Sequence, residues 1–387
     1  MKDGKHELLT EEQVKALQAD GWTRMEYEQC ANEKALYIHP KEKTIVGTWM
    51  DDIIVRGKRR NSEEFWRQCG KRFEIRSWGF IEVDKPRTYT GMKICKERRN
   101  GRVWYTIDQQ DDIEDFLERY GKTGMRPSSA PMPYKDEMYS DETNLGADEA
   151  RLYGEIVGAL VYYADSTVWQ MACEVNKLAQ KLKTPTVGAQ KALNRVLAWL
   201  GTFNKTHKLQ VPRVKGTVWH WWCDSDCAGG RAHGDTLSRT GVLGTANGMP
   251  VHWRSQKQPT TSQSSAAAEI VALSQTVQDS RLRLWIAEDM YGDVKWPVEI
   301  QVDNAAAVTF QNKMNAGSKL RGIFDLREKW VQELKDKKLV KAVKVATDYN
   351  VSDILTKPLQ ATVRQKLLNH LNTVQQNVIR HCKRASI

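Results

Sequence analysis

No run of about eighteen apolar residues occurs anywhere in the chain, so the sequence offers no helix that could span a bilayer. The first residues, Met1-Lys-Asp-Gly-Lys-His-Glu7, lack the apolar core of a signal peptide. Cysteine is sparse: seven residues, odd in number and irregularly spaced. That pattern argues against a disulfide framework and fits a reducing compartment, cytoplasmic or nuclear. Cys223 and Cys227 have no Cys or His partner at zinc spacing, so Cys223 reads as a core-facing strand residue. Histidine is absent from the whole stretch between His252 and His370. The last segment, 361–387, has no acidic residue.

Positive charge is abundant. The net charge is +11 and the pI is near 9.2, which favours a polyanionic partner, nucleic acid first. With 387 residues and 40% hydrophobic content the chain has material for two or three domains with real cores.

The pattern along the chain divides it into segments. Residues 1–135 read as mixed α/β. The apolar runs Thr44–Met50 and Ile53–Val55 flank Asp51-Asp52, a hairpin signal. Helical spacing follows over 62–73, a strand over 103–107, and a helix over 112–120 ended by Gly121. Residues 136–212 comprise the end of a Pro- and Ser-rich linker and then a helical module, with Leu152, Ile156, Leu160 and Tyr163 on one face. Its aromatics, Tyr162, Tyr163 and Trp199, read as core.

Residues 213–360 read as three strands, a helix, a strand, two helices, a strand and a short helix. Asn247-Gly248 joins the second strand to the third. An antiparallel meander running into alternating β and α gives a mixed sheet with helices on both faces. Residues 361–387 form a basic tail whose Leu367, Leu368, Leu371 and Val374 fit one helical face. It reads equally as a nucleic-acid contact or as a solvated end.

Four acidic residues carry the chemistry. Asp224 ends the aromatic run Thr217–Cys223. Glu269 lies early in the helix after Ser264-Ser265. Asp303 ends Val298-Glu-Ile-Gln-Val302, and Asp353 opens Ser352–Lys357. Any one of them could be only a turn former or a helix cap. Together, at element ends of one sheet, they are the oxygen ligands that two Mg2+ ions need for phosphodiester hydrolysis. Asp226, two residues after Asp224, reads as loop chemistry. Arg231, Arg239, Arg254 and Lys257 lie close to this set and are candidate phosphate contacts.

The segments Asp224-Ser-Asp-Cys-Ala-Gly229, Ser238-Arg-Thr-Gly241, Pro250-Val-His-Trp-Arg-Ser-Gln-Lys-Gln258, Ala268-Glu-Ile-Val-Ala-Leu-Ser274, Val302-Asp-Asn304 and Ser352-Asp-Ile-Leu-Thr-Lys-Pro-Leu359 resemble the RNase H domain of copia-type LTR retrotransposon Pol polyproteins. The resemblance implies an RNase H-like five-stranded sheet over 213–360. It places the catalytic, metal-holding acids on Asp224, Glu269, Asp303 and Asp353, with Mg2+ as the cofactor and Mn2+ as an alternative. It implies cleavage of the RNA strand of an RNA–DNA hybrid. Upstream, Trp49-Met-Asp-Asp52 resembles the catalytic hairpin of reverse transcriptases, which makes 1–135 a truncated palm-like region and 136–212 a helical thumb or connection.

The departures are specific. Only about fifty residues precede Asp51. Asp3 and Asp20 sit in polar surroundings, so the fingers and the third polymerase aspartate are expected to be missing. DNA polymerase activity is not expected from this chain alone. The hairpin tyrosine of the family is Trp49, and the family's Lys-His-Ile-Asp is Gly322-Ile-Phe-Asp325. The late-loop histidine that helps product release has no counterpart. The expectation is therefore a hybrid-cleaving nuclease, with other polyprotein segments as candidate partners and the oligomeric state open. The alternative is a catalytically silent, basic nucleic-acid-binding remnant.

Overall fold

A computed structural model of the chain describes residues 12, 15 and 19, 25–132, 137–229, 234–262, 264–292, 294–312 and 326–382. Asp3, Asp20, Arg231 and the Gly322–Asp325 segment lie outside these residues. The chain forms two compact units, Met1–Phe80 with Glu288–Gly292, and Ile81–Ala287 with Asp293–Ile387. The sequence-based boundaries after 135, 212 and 360 all fall inside the second unit.

In the first unit, β1 (Glu28–Gln29), β2 (Leu36–Ile38), β3 (Ile45–Trp49) and β4 (Asp52–Arg56) form an antiparallel sheet in sequential order. Helix α1 (Arg59–Cys69) packs Phe65 and Cys69 against Val46 of β3. The β3–β4 hairpin turns at Met50, which takes a positive φ of 49°. Asp51 and Asp52 are both exposed on it, beside a Trp49 that is itself 60% exposed.

The second unit holds two sheets. Strands β5 (Arg87–Tyr89), β6 (Met92–Arg99), β7 (Arg102–Asp108) and β8 (Leu209–Pro212) form the first, also in sequential order. Between β7 and β8 run α2 (Gln110–Arg119), α3 (Ala147–Ser166), α4 (Ala172–Ala179) and α5 (Val187–Phe203). Thr186 caps α5, its hydroxyl accepting from the Ala189 amide.

The second sheet is the mixed, five-stranded one. Strands β9 (Trp219–Ser225), β10 (Arg239–Ala246) and β11 (Met249–Lys257) form an antiparallel meander. Asn247 and Gly248, both at positive φ, make the two-residue turn between β10 and β11. Helix α6 (Ser265–Tyr291) carries the chain to β12 (Val298–Val302). Helices α7 (Ala305–Asn312) and α8 (Leu326–Asp336) then lead to β13 (Val340–Lys344). Strand β12 pairs in parallel with both β9 and β13, giving the order β11-β10-β9-β12-β13. Helices on both faces are observed, as the pattern of strands and helices implies.

The two faces are covered by different parts of the chain. Trp221 and Cys223 of β9, Val242 of β10 and the apolar residues of β12 and β13 pack with α6, α7 and α8. Trp222 of β9 and Leu243 of β10 instead join a cluster with α3, α4, α5, the 3-10 turn Val351–Leu355 and the last helix, α9 (Ala361–His381). Each fully buried apolar side chain here contributes about 1.5–3 kcal/mol. The helical module and the last helix are therefore walls of the same core as the sheet.

This corrects the reading of the tail as a solvated or nucleic-acid-facing end. Leu367 and Leu371 of α9 are buried, and so is Arg364. The Arg364 guanidinium lies 3.2 Å from Glu174 of α4 and also donates to the carbonyl of Gln170. Burial pushes the Glu174 carboxyl up and the Arg364 guanidinium down, and the charge of each partly offsets the shift of the other. Removing one member of such a pair strands the other charge in the interior. Arg364→Met is expected to lower unfolding stability by about 3–5 kcal/mol. Adding Glu174→Leu should restore most of it. Urea denaturation measures both, and a single-variant loss within error of zero would contradict the packing described.

Candidate active site

The four acids arrive from four elements. Asp224 is the penultimate residue of β9, and Glu269 lies in the first turns of α6. Asp303 directly follows β12, and Asp353 sits in the 3-10 turn Val351–Leu355. Carboxylate oxygens of Asp224, Asp303 and Asp353 lie within 4.8 Å of one another, the one such acidic group among the described residues. Glu269 shares their field, because the charges of Asp224, Asp303 and Asp353 all raise its affinity for a proton.

Neither Asp303 nor Glu269 is merely a cap. After β12, the N-terminus of α7 is capped by Asn304, whose Oδ1 accepts from the amides of Ala306 and Ala307 at 2.8 and 3.3 Å. Ser264 performs the same task for α6, accepting from the Ala267 amide at 3.2 Å. With Asn304 and Ser264 in those roles, Asp303 and Glu269 are left for something else.

Polar contacts from distant parts of the chain hold the set in place. The Thr356 hydroxyl donates to Asp224 Oδ2. The Asn350 amide donates to the Cys223 carbonyl at 3.0 Å, and the Ser352 hydroxyl donates to Asn350 Oδ1 at 2.6 Å. Gln258, only 2% exposed, donates to the Ala268 carbonyl at 2.9 Å and reaches Ser225 Oγ at 3.3 Å and Thr240 Oγ1 at 3.2 Å. One amide thus ties the neighbour of Asp224 to the neighbour of Glu269. Gly241 makes the close approach possible: a Cβ there would lie 2.8 Å from the Ser352 carbonyl oxygen. The sequence marks Gln258, Gly241 and Thr356 only as parts of motifs, and nothing in local pattern singles out Asn350.

Burial and repulsion dominate the electrostatics. Glu269 is 6% exposed, and burial, then Asp224 and Asp303, push its carboxyl up to about 9. A backbone bond from Ser225 only partly offsets this. Glu269 Oε2 is buried without a hydrogen-bond partner. Burial and the Asp224 charge push Asp353 up to about 8, against the pull of Lys357. Burial alone would lower the Lys357 ammonium, but Asp224 and Asp353 outweigh it and leave it raised. An all-oxygen, electron-rich group with an orphaned buried carboxylate oxygen matches the donor set that hard divalent cations take.

The other sequence-derived candidates are placed differently. Asp51 and Asp52 belong to the first unit and are not part of the acidic group. Arg239 is 2% exposed and donates to Asn176 Oδ1 and Ser255 Oγ, so it is an interior strut where a surface phosphate contact was expected. Arg254 grips Asp279 with two nitrogens at 2.8 and 3.0 Å. Lys257 pairs with Asp235. Arg231 lies outside the described residues. Asp226 accepts from the Arg239 amide, in keeping with a loop role, and burial pushes its carboxyl up to about 6.

The raised acids fix a pH dependence. A carboxyl raised from 4.5 to about 9, as Glu269 is, favours the folded state below its unfolded value. That contribution is lost as pH rises through the folded value. In chelator, Glu269→Gln is therefore expected to melt higher than the parent at mildly alkaline pH, by at least roughly 2–4 °C. The difference should close as pH falls toward 4.5, the ordinary glutamate value. Melts across pH check this, and a lower-melting variant at alkaline pH would contradict it.

No family model matches the chain. It is 25% identical over 320 residues to the retrovirus-related Pol polyprotein from transposon TNT 1-94 of Nicotiana tabacum, covering 80% of this chain and 23% of that protein. It is 24% identical over 355 residues to the counterpart from transposon RE1 of Arabidopsis thaliana, covering 89% of this chain and 23% of that one. The chain thus spans about a quarter of the length of these two relatives. A stretch of 131 residues, 33% of the chain, is 34% identical to secreted RxLR effector protein 161 of Plasmopara viticola and covers 88% of it. Among solved structures, LC11-RNase H1 in complex with an RNA/DNA hybrid is similar at 17% identity, covering 36% of this chain and 94% of that one, with a TM-score of 0.27. LC11-RNase H1 in a second structure has a TM-score of 0.28 at the same 17% identity, covering 39% of this chain and 97% of that one. Over most of its length the chain is thus similar to retrovirus-related Pol polyproteins of two plant transposons.

Proposed function

We propose that this Pol segment is the RNase H part of a copia-type element, a metal-dependent endonuclease that cleaves the RNA strand of RNA–DNA hybrids. The observation that carries the reading is the meeting of Asp224, Asp303 and Asp353 within 4.8 Å, beside a buried Glu269 with an unpartnered oxygen. Four carboxylates forced together from separate elements cost stability, and a divalent cation removes that cost. Asp224, Glu269, Asp303 and Asp353 would hold Mg2+ or Mn2+. Two such ions supply an activated water and neutralise charge on the leaving oxygen.

The protein's own groups do the rest. Thr356 fixes the rotamer of Asp224, and the Gln258 amide keeps β9 and α6 in register. The largely buried carboxylates keep bulk water from screening the charges they face. A hybrid is distinguished by its shape and by 2′-hydroxyls on one strand, which needs backbone contacts rather than base readout. Arg254 and Lys257 can serve a phosphate only by sharing their ion pairs with Asp279 and Asp235. Little sequence preference follows. Other segments of a longer polyprotein are the proposed partners, and the exposed Asp51-Asp52 hairpin is not assigned a polymerase role in this chain alone.

Wild-type protein is expected to release labelled RNA fragments from a hybrid in Mg2+ and to stop in chelator. Asp303→Asn should reduce the rate at least about a hundredfold while melting no lower than the parent. Equal cleavage by the parent and the variant would overturn the assignment. Salt-dependent binding without turnover by the parent would instead mark a silent nucleic-acid-binding remnant.

A further inference from the structure

Among the described residues, Lys357 is the side-chain cation in contact with the acids. Its Nζ lies 3.0 Å from Asp353 Oδ1. It follows the 3-10 turn that carries Asp353, and its amide bonds back to the Asp353 carbonyl at 3.3 Å. Asp224 and Asp303 also act on it. The other nearby lysine, Lys344, donates to the backbone carbonyl of Asp303 rather than to its carboxylate.

The site is therefore uneven. On the Asp353 side an ammonium already sits against the carboxylate, and Thr356 donates to Asp224. Glu269 Oε2 and Asp353 Oδ1 are both buried with no hydrogen-bond partner, but among the described residues the Lys357 ammonium stands against Asp353 and not against Glu269. The Lys357 side chain is 39% exposed, so its head can swing into solvent while its stem stays packed.

We propose that Lys357 is a built-in monovalent competitor for the second divalent cation. The first ion enters on the Glu269 side, where no ammonium stands in the way, and the second must displace Lys357 from Asp353. The idea rests on the reading that these acids hold divalent cations. It adds that the two positions differ in affinity, and that one side chain sets the difference. An ammonium 3.0 Å from a carboxylate oxygen is an ion pair that an incoming ion has to break.

The test is calorimetric titration of the full chain with Mn2+ and no substrate, near neutral pH, comparing the parent with Lys357→Met, Lys357→Gln and Lys357→Arg. The parent should bind one ion tightly and a second weakly. Lys357→Met and Lys357→Gln should tighten the second step on the order of tenfold and leave the first unchanged. Lys357→Arg, which keeps the charge, should behave like the parent. A second step unchanged or weakened in the two neutral variants would overturn the role of Lys357 alone. Absence of Mn2+ binding by the parent would overturn both this role and the metal-dependent reading. Two-step binding without hybrid cleavage would sink only the nuclease assignment.

Discussion

Mutual repulsion among Asp224, Glu269, Asp303 and Asp353 is the constraint that organises the second unit. Left to themselves, four carboxylates on separate elements would move apart into water. The fold prevents this by placing the ends of β9 and β12, the start of α6 and the Val351–Leu355 turn at one end of the five-stranded sheet. The consequence is visible in Glu269 and Asp353, whose carboxyls are pushed up to about 9 and about 8. Converging acids with carboxyls pushed up in this way are the basis of the proposed function.

Holding the acids requires a stiff frame, and the frame is assembled from segments far apart in sequence. One sheet face is covered by α6, α7 and α8, the helices threaded between its own strands. The opposite face, at Trp222 and Leu243, is covered by the helical module and by α9. The turn that carries Asp353 lies in that same cluster through Val351, Ile354 and Leu355. The buried Arg364–Glu174 pair joins α9 to α4 across 190 positions. The helical module, which shows no chemistry in its sequence, therefore packs with the turn that brings in Asp353.

Much of this was legible in the sequence, for definite reasons. The Asn247-Gly248 turn, the alternating run before Asp224 and the β-branched run before Asp303 are local signals, and local signals determine strands and turns. The acids were legible because each stands at an element end, and because motifs around them resemble one family. Thr356, Asn350 and Gln258 were not, because their roles exist only through contacts with Asp224, Cys223 and Ala268 made by the folded chain. Arg239 misled because it lies near the acids in sequence; β10 is buried along nearly its whole length, so its arginine points into protein. The tail misled for a related reason. A basic segment without acids looks solvated until its partner, Glu174, is found in another helix.

The proposed chemistry rests on the geometry of the site. The most direct measurement is a crystal structure of the chain soaked in Mn2+, with the ions located by anomalous scattering. The account predicts an ion held by carboxylates of the Asp224, Glu269, Asp303 and Asp353 set. Ions found only elsewhere, with those four acids left uncoordinated, would contradict it.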